Sequence, residues 1–282
     1  MRIIAHDGIG ASNPLTSVRA SDRGQQPAHL CQGFRSVCRD SGPSDQACIV
    51  AIIAIPELGN VQTMTQISDS PAIIPLYADD ILLVVDKPSG LLSVPGRGAD
   101  KQDCLATCVQ AHYPDARIVH RLDMATSGLM VMARGAAAQR ELSRAFAARE
   151  VKKRYVAVVA GRLDAPSEGW GTIDLPIIVD WPNRPLRIVD HQRGKPSLTR
   201  WRVLGYEEGI SGTRVELEPI TGRSHQLRIH LRELGHPILG DSLYAPPGVQ
   251  AQAGRLLLHA CSLSFAHPAT RKNVAFECLA PF

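Results

Sequence analysis

From residue 76 onward, the apolar residues fall into short runs and alternating stretches that are separated by polar turns. The run Ile81-Leu82-Leu83-Val84-Val85 has the length and the branched side chains of a buried strand, and it ends at the turn Asp86-Lys87-Pro88-Ser89-Gly90. The same criteria predict a strand at the end of the segment 120–134, and further strands over residues 154–161, 171–175, 199–205, 214–219, 256–265 and 274–278.

Three segments have helical spacing instead: residues 102–112, residues 136–149 and residues 225–234, the last closed by Gly235. In the second segment, Leu142, Ala145 and Phe146 form one apolar face. Many strands with few interspersed helices predict an α+β fold. We expect a single domain with a mixed, mostly antiparallel sheet, flanking helices and a central cleft.

Residues 1–63 lack this periodicity. They contain no Lys, five Arg, five acidic residues and three of the seven Cys. We interpret them as a poorly ordered N-terminal extension and place the folded domain in residues 64–282. A second hypothesis is that residues 1–63 are not part of the natural product, because a chain that starts at Met64 keeps the whole charge excess. An intact mass from the native host tests this.

Composition excludes several classes of protein. The chain has 282 residues, 44% of them hydrophobic, which is enough for a globular core, and its formal charge of +4 does not by itself indicate a nucleic-acid partner. An odd number of irregularly spaced Cys and the absence of a signal peptide predict a reducing cytoplasm. The apolar stretch 48–56 is too short to cross a membrane. No phosphate-binding loop, dinucleotide fingerprint or Cys/His cage is present, so we expect neither cofactor nor metal.

Candidate chemistry begins with His120-Arg121-Leu122-Asp123, which is followed by Thr126-Ser127-Gly128 and then by an apolar strand. A carboxylate beside an Arg on a short connection is an arrangement that keeps a nucleophile ionised in a partly dry cleft. Alone it is weak evidence, because an Asp on a polar loop is usually a turn residue. Other segments therefore decide its meaning.

Three further segments carry polar residues: Lys152-Lys153-Arg154-Tyr155, Thr221 to His230, and Leu258-His259-Ala260. The first is either a charged strand end or a set of phosphate contacts with a ring for base stacking. The second is either a solvated basic helix or a turn and helix that favour anions. A His among apolar residues is most often a satisfied core group.

In this order and at this spacing, the four segments resemble the RluA-type RNA pseudouridine synthases. The likeness runs from about Tyr77 to Phe282 and includes the stretches 86–97, 180–185 and 235–241. The sequence resembles the dual-specificity rRNA/tRNA members of the family more than the multi-domain members. Residues 1–63 do not resemble the S4-type RNA-binding domain that precedes the catalytic domain in those members.

The resemblance implies a cofactor-free isomerisation of uridine to pseudouridine. It assigns Asp123 as the nucleophile, Arg223 as the ion-pair partner that keeps Asp123 ionised, and Tyr155 as a stacking group and general base. The expected targets are specific uridines of structured RNA, namely 23S rRNA and the tRNA anticodon stem-loop. We expect the protein to be a monomer.

The resemblance also implies an RNA-contact surface. Arg121 is expected to fill the stack that the flipped base leaves, and His120 to position a group or contact RNA. Lys152, Lys153 and Arg228 are expected to contact phosphates.

Two alternatives stay open. The first is a non-catalytic protein that binds structured RNA on the same scaffold, which tritium release from C5-labelled uridine distinguishes from an enzyme. The second is a metalloprotein that uses Cys104, Cys108 and His112, which fall four residues apart on one predicted helix face.

Overall fold

The structure is a computed structural model that describes residues 73–98 and 101–282; the expected extension 1–63 lies outside the described residues. Its strands are β1 (Tyr77–Ala78), β2 (Leu82–Lys87), β3 (Ala116–Ile118), β4 (Ser127–Arg134), β5 (Lys152–Ala160), β6 (Gly171–Asp174), β7 (Ile177–Val179), β8 (Arg187–Val189), β9 (Leu198–Glu207), β10 (Gly212–Pro219), β11 (Leu258–Ala266) and β12 (Asn273–Glu277). Its helices are α1 (Leu105–Gln110), α2 (Gly135–Ala147), α3 (Gln226–Glu233) and α4 (Pro247–Gln250). The longest described helix, α2, has 13 residues, which is fewer than a membrane-spanning helix requires.

Ten of the described strands form one sheet, in the order β1-β2-β4-β11-β5-β10-β9-β6, with β3 beside β4 and β12 beside β11. Among the described strands, β4 and β11 are the only parallel neighbours, with Ser127 opposite His259; the other pairs are antiparallel. Strands β7 and β8 form a separate hairpin. The predicted α+β fold with a mixed, mostly antiparallel sheet is therefore confirmed.

The parallel contact between β4 and β11 depends on a glycine. Gly128 has a φ of +113°, and a Cβ at this position would lie 2.4 Å from the carbonyl oxygen of Ala260. Only a residue without a side chain fits there. Because Ala260 pairs on its other side with Tyr155 of β5, the start of β4 lies two strands away from Tyr155.

The core lies on both faces of β2 and β4. Leu82 and Val84 pack with Leu142 of α2 on one face, and Leu83 and Val85 pack with Leu105 of α1 on the other. Burial of both faces explains why this strand is apolar at four successive positions and does not alternate.

Several short elements differ from the sequence prediction, which did not include β1, β3 and α4. Helix α1 is shorter than expected because Cys104 caps it: the Cys104 sulfur accepts a hydrogen bond from the Thr107 amide (3.5 Å), and the Thr107 hydroxyl accepts one from the Cys104 amide (3.2 Å). The hairpin of β7 and β8 was not predicted, because strands of three residues are too short to show an alternating pattern.

Candidate active site

Asp123 lies in the connection between β3 and β4, residues 119–126, which we name the Asp123 loop. Lys87 is fully buried, and it supports this loop through hydrogen bonds. Its ammonium donates to the carbonyl oxygens of Pro88 (2.8 Å), Leu91 (2.8 Å) and Met124 (3.1 Å). Burial lowers the pKa of Lys87 to about 8, and the charge of Asp123 opposes part of this shift.

Serine hydroxyls attach the Asp123 loop on two more sides. Ser93 Oγ donates to the carbonyl oxygen of Leu122 (2.7 Å) and accepts from its amide (3.1 Å). Ser89 Oγ donates to the carbonyl oxygen of Ala125 (2.7 Å). The backbone on both sides of Asp123 is thus fixed, so its carboxylate has a defined position.

Two side chains of the α3 segment, the cationic Arg228 and the polar His225, face the Asp123 carboxylate. Arg228 Nη1 lies 3.9 Å from Oδ2, and His225 Nε2 lies 3.9 Å from Oδ1. The Asp123 side chain is 22% exposed. A half-buried carboxylate that is open on one side and faces a guanidinium on the other is suited to nucleophilic attack.

Arg228 is not on an RNA-facing surface, which corrects the expectation from the sequence. It is 3% exposed and makes a bidentate ion pair with the buried Asp241, Nε to Oδ2 at 2.8 Å and Nη2 to Oδ1 at 2.5 Å. Asp241 also accepts the amides of Leu243 and Tyr244. Asp241 therefore satisfies two arms of the guanidinium and leaves Nη1 directed towards Asp123.

The expected ion pair between Asp123 and Arg223 is not formed. Arg223 is exposed, and its Nε donates to the carbonyl oxygen of Pro196 at 3.4 Å. The physical reason is its position in the turn before α3, whereas Arg228 lies within the buried part of the helix. Among the described residues, Arg228 is therefore the arginine whose guanidinium faces the Asp123 carboxylate.

His225 joins Asp123 to Tyr244. It has a left-handed backbone (φ +59°), and its Nδ1 lies 2.6 Å from the Tyr244 hydroxyl, which accepts the Arg187 amide at 3.0 Å. Burial lowers the pKa of His225, while the charge of Asp123 raises it. The carboxylate favours the neutral tautomer with the proton on Nε2, in which Nδ1 accepts the Tyr244 proton.

Tyr155 lies on β5, beside Ala260 of β11 and against two parts of the core. Burial, followed by the charge of Asp123, raises the pKa of its phenol. Tyr155 therefore keeps its proton at neutral pH. Its position near Asp123 agrees with the expectation of a shared site, but a resting phenolate base is not favoured.

His120 has a structural contact that sequence reasoning did not foresee. Its Nε2 accepts the amide of Val131 at 3.0 Å, and its ring stacks on Phe146 with centroids 4.4 Å apart. Burial, with the charge of Lys153, lowers its pKa to about 3. The imidazole is therefore neutral and completes the hydrogen bonding of β4, which differs from the expected RNA contact.

The remaining expected RNA contacts have mixed exposure. Arg121, two residues before Asp123, and Lys152, at the start of β5, are exposed. Lys153 is half-buried, and burial lowers its pKa, as does the nearby charge of Arg149. Arg121 and Lys152 are open to a ligand, whereas Lys153 is close enough to His120 for its charge to lower the pKa of the imidazole.

The alternative metal site of the sequence analysis is not assembled, because Cys104, Cys108 and His112 do not bring their ligating atoms together. Within the described residues, one group has metal-ligating atoms within 4.8 Å of one another: Asp86, His259 and Cys278. His259 Nδ1 bonds to Ser127 Oγ at 2.8 Å, and its buried Nε2 has no partner among the described residues. Asp86 lies on β2 and His259 on β11, the two strands that flank β4, and none of the three residues contacts Asp123 among the described ion pairs and hydrogen bonds.

Comparison with known proteins agrees with this geometry. The model of the RNA pseudouridylate synthase family matches residues 81–233, so the chain belongs to this family and is an RNA pseudouridine synthase, an isomerase. The match spans Asp123, Tyr155 and Arg228.

Individual relatives narrow the family to its RluA type. The dual-specificity RNA pseudouridine synthase RluA of Escherichia coli strain K12 is 53% identical over 212 residues, which cover 75% of this chain and 95% of that protein. RluA of Yersinia pestis is 52% identical over 207 residues, 73% of this chain and 98% of that protein. The solved structure of human RNA pseudouridylate synthase domain containing 1 has a TM-score of 0.62 at 30% identity, and the match covers 74% of this chain and 84% of that one.

Sequence reasoning missed the supports of the site: Lys87, Ser93, Asp241 and Tyr244. Lys87 had a signal, because it shares the alternation of Leu83 and Val85 and a cation on the apolar face of a strand is unusual. The others had none, because their partners lie far away in sequence.

Proposed function

We propose that this enzyme isomerises uridine with Asp123 as the nucleophile and that its targets lie in 23S rRNA and the tRNA anticodon stem-loop. The observation that carries the proposal is the approach of Arg228 Nη1 to the Asp123 carboxylate (3.9 Å) on a loop that is fixed by buried groups. The choice of targets rests on the likeness to dual-specificity relatives.

The reaction moves the uracil within one nucleotide. The bond from N1 to C1′ breaks, the uracil rotates, a bond from C5 to C1′ forms, and the C5 proton leaves while N1 gains one. Asp123 must be ionised to attack, and loss of water around it would favour its neutral form. Arg228 counters this effect, and Asp241 holds Arg228 in place, so the role that the sequence analysis gave to Arg223 passes to Arg228.

Tyr155 is proposed to stack on the uracil. Its ring lies beside Ala260, and its raised pKa keeps the hydroxyl protonated, so it orients the base without carrying charge. The exposed Arg121 is proposed to occupy the gap in the RNA stack after the uridine has been flipped out.

Tritium release from RNA that contains C5-labelled uridine tests the reaction. We expect release from wild type with an anticodon stem-loop transcript and with a 23S rRNA fragment. RNA binding without release from either would favour the non-catalytic alternative.

Mapping of pseudouridine in total RNA from a deletion strain of the native host tests the targets. We expect loss of at least one pseudouridine in 23S rRNA and one in a tRNA anticodon stem-loop, both restored by the gene. Loss from a single RNA class would contradict the dual specificity and leave the chemistry intact.

A further inference from the structure

The hairpin of β7 and β8 is outside the contacts described for the reaction. Its connection, residues 180–186, is named here the hairpin tip. Trp181 in this tip is 66% exposed, whereas Trp201 of the main sheet is 7% exposed. Single exposed apolar residues are common, so exposure alone does not indicate a ligand.

The tip holds the Trp181 ring in a defined orientation. The guanidinium of Arg184 stacks on the ring, 3.3 Å from its centroid. Asn183 donates to the Asp180 carboxylate at 3.0 Å, and the amide of Asp180 donates to the carbonyl oxygen of Leu186 at 3.1 Å. One face of the indole is covered by a cation, and the structured turn presents the rest to solvent.

The hairpin tip lies next to the residues that contact Asp123. Arg187 pairs with Val179 at the last step of the hairpin ladder, and its amide donates to the same Tyr244 hydroxyl that contacts His225. Ile177, at the base, packs with Tyr244. The hairpin is therefore attached to the side of the site that carries His225.

The charges around the hairpin favour an anionic partner. Residues 177–195 contain two carboxylates and four cations, listed together as Arg184, Arg187, Arg193 and Lys195. Asp190 is already paired with Arg193 at 3.0 Å. The exposed Arg223 contacts Pro196, directly after this segment. An exposed aromatic ring in a segment whose cations outnumber its carboxylates suits single-stranded nucleic acid better than an apolar protein surface.

We propose that Trp181 stacks on an unpaired base of the RNA next to the target uridine, while Arg184 contacts the adjoining phosphate. This inference rests on the proposed function, because it assumes an RNA loop at Asp123. The hairpin tip then selects loops over continuous duplex, since stacked bases of a duplex offer no free face.

Equilibrium binding to a synthetic anticodon stem-loop RNA tests the proposal. We expect Trp181→Ala to raise Kd about tenfold, Trp181→Phe to restore most of the affinity, and both variants to bind a blunt RNA duplex as wild type does. Leu279→Ala, which removes another exposed apolar side chain (93% exposed), is the matched control and keeps the wild-type Kd.

Fluorescence gives a readout that a structural role would not change. The chain has three Trp, and the difference in emission between wild type and Trp181→Phe isolates Trp181. We expect the stem-loop RNA to quench the emission of Trp181 that this difference isolates. An unchanged Kd for Trp181→Ala with no quenching would overturn the proposal and leave a protein partner for the exposed ring. Quenching without tritium release would overturn the proposed function but support this inference.

Discussion

The Asp123 loop and the hairpin tip are both polar connections between strands, but they are held in different ways. The backbone of the Asp123 loop accepts hydrogen bonds from two buried side chains outside the loop, Lys87 and Ser93. The tip is held by bonds within itself and is joined to the domain at its junction with β8, where the amide of Arg187 donates to the Tyr244 hydroxyl. The Asp123 loop must place one carboxylate accurately, and rigid support suits that task. The hairpin tip is proposed to contact a surface that varies from one RNA to another, which needs less support.

The largest expected effect comes from removal of the Asp123 carboxylate. Asp123→Ala should abolish tritium release, because no other carboxylate contacts Arg228 Nη1 in the described residues. RNA affinity should stay within about tenfold of wild type, because phosphate and stacking contacts remain. Equal loss of binding and turnover would show that the nucleophile is elsewhere.

Arg228 and Arg223 provide the next largest contrast. Arg228→Ala leaves the buried Asp241 without its cation, which costs about 3–5 kcal/mol of stability. Arg228→Lys keeps a charge but loses the fork, so we expect folded protein with kcat lowered about 100-fold. Arg223→Ala should keep kcat and stability and raise KM only. Denaturant melts and steady-state kinetics measure both. Equal loss of kcat in Arg223→Ala would restore the assignment made from the sequence.

Lys87 tests the attachment of the Asp123 loop. Lys87→Met removes three hydrogen bonds to backbone carbonyls, and we expect kcat to fall about 10- to 100-fold with little change in KM. A wild-type kcat would mean that the loop keeps its geometry without this support.

The same variant has a predicted pH dependence. The pKa of Lys87 is about 8 in the folded protein and 10.5 as its ordinary value, so between these values the unfolded chain binds more protons. The stability of wild type relative to Lys87→Met should therefore rise as pH increases from about 8 towards about 10.5. Paired urea melts across this range measure the difference, and a falling difference would contradict the lowered pKa.

His120 gives the smallest expected effect on function. His120→Ala leaves the Val131 amide without an acceptor, at a cost of about 1–3 kcal/mol in unfolding free energy. We expect RNA affinity to stay near the wild-type value, with Phe146→Leu as a control for the lost ring contact. A clear loss of affinity in a fully folded variant would instead support the RNA contact expected from the sequence.

Local pattern predicted most of the large elements because each depends on nearby residues. The alternation in residues 154–161 and the apolar face around Leu142 identified β5 and α2 with small errors at their ends. The hairpin of β7 and β8 escaped, because its stability comes from packing of Ile177 on α3 and Tyr244. Its exposed tip left no apolar pattern.

The fold class, the motif that presents Asp123 and the grouping of Tyr155 with it could all be predicted from the order of the residues. The guanidinium that faces the carboxylate could be identified only from the folded chain. Arg223 and Arg228 are five residues apart in one motif, and no local property ranks them as partners of Asp123. The choice depends on burial of α3 and on Asp241, a residue from another loop that fixes Arg228. The packing of the folded chain decides which residues form an ion pair across the fold. The distance in sequence between Asp123 and either arginine does not predict that packing.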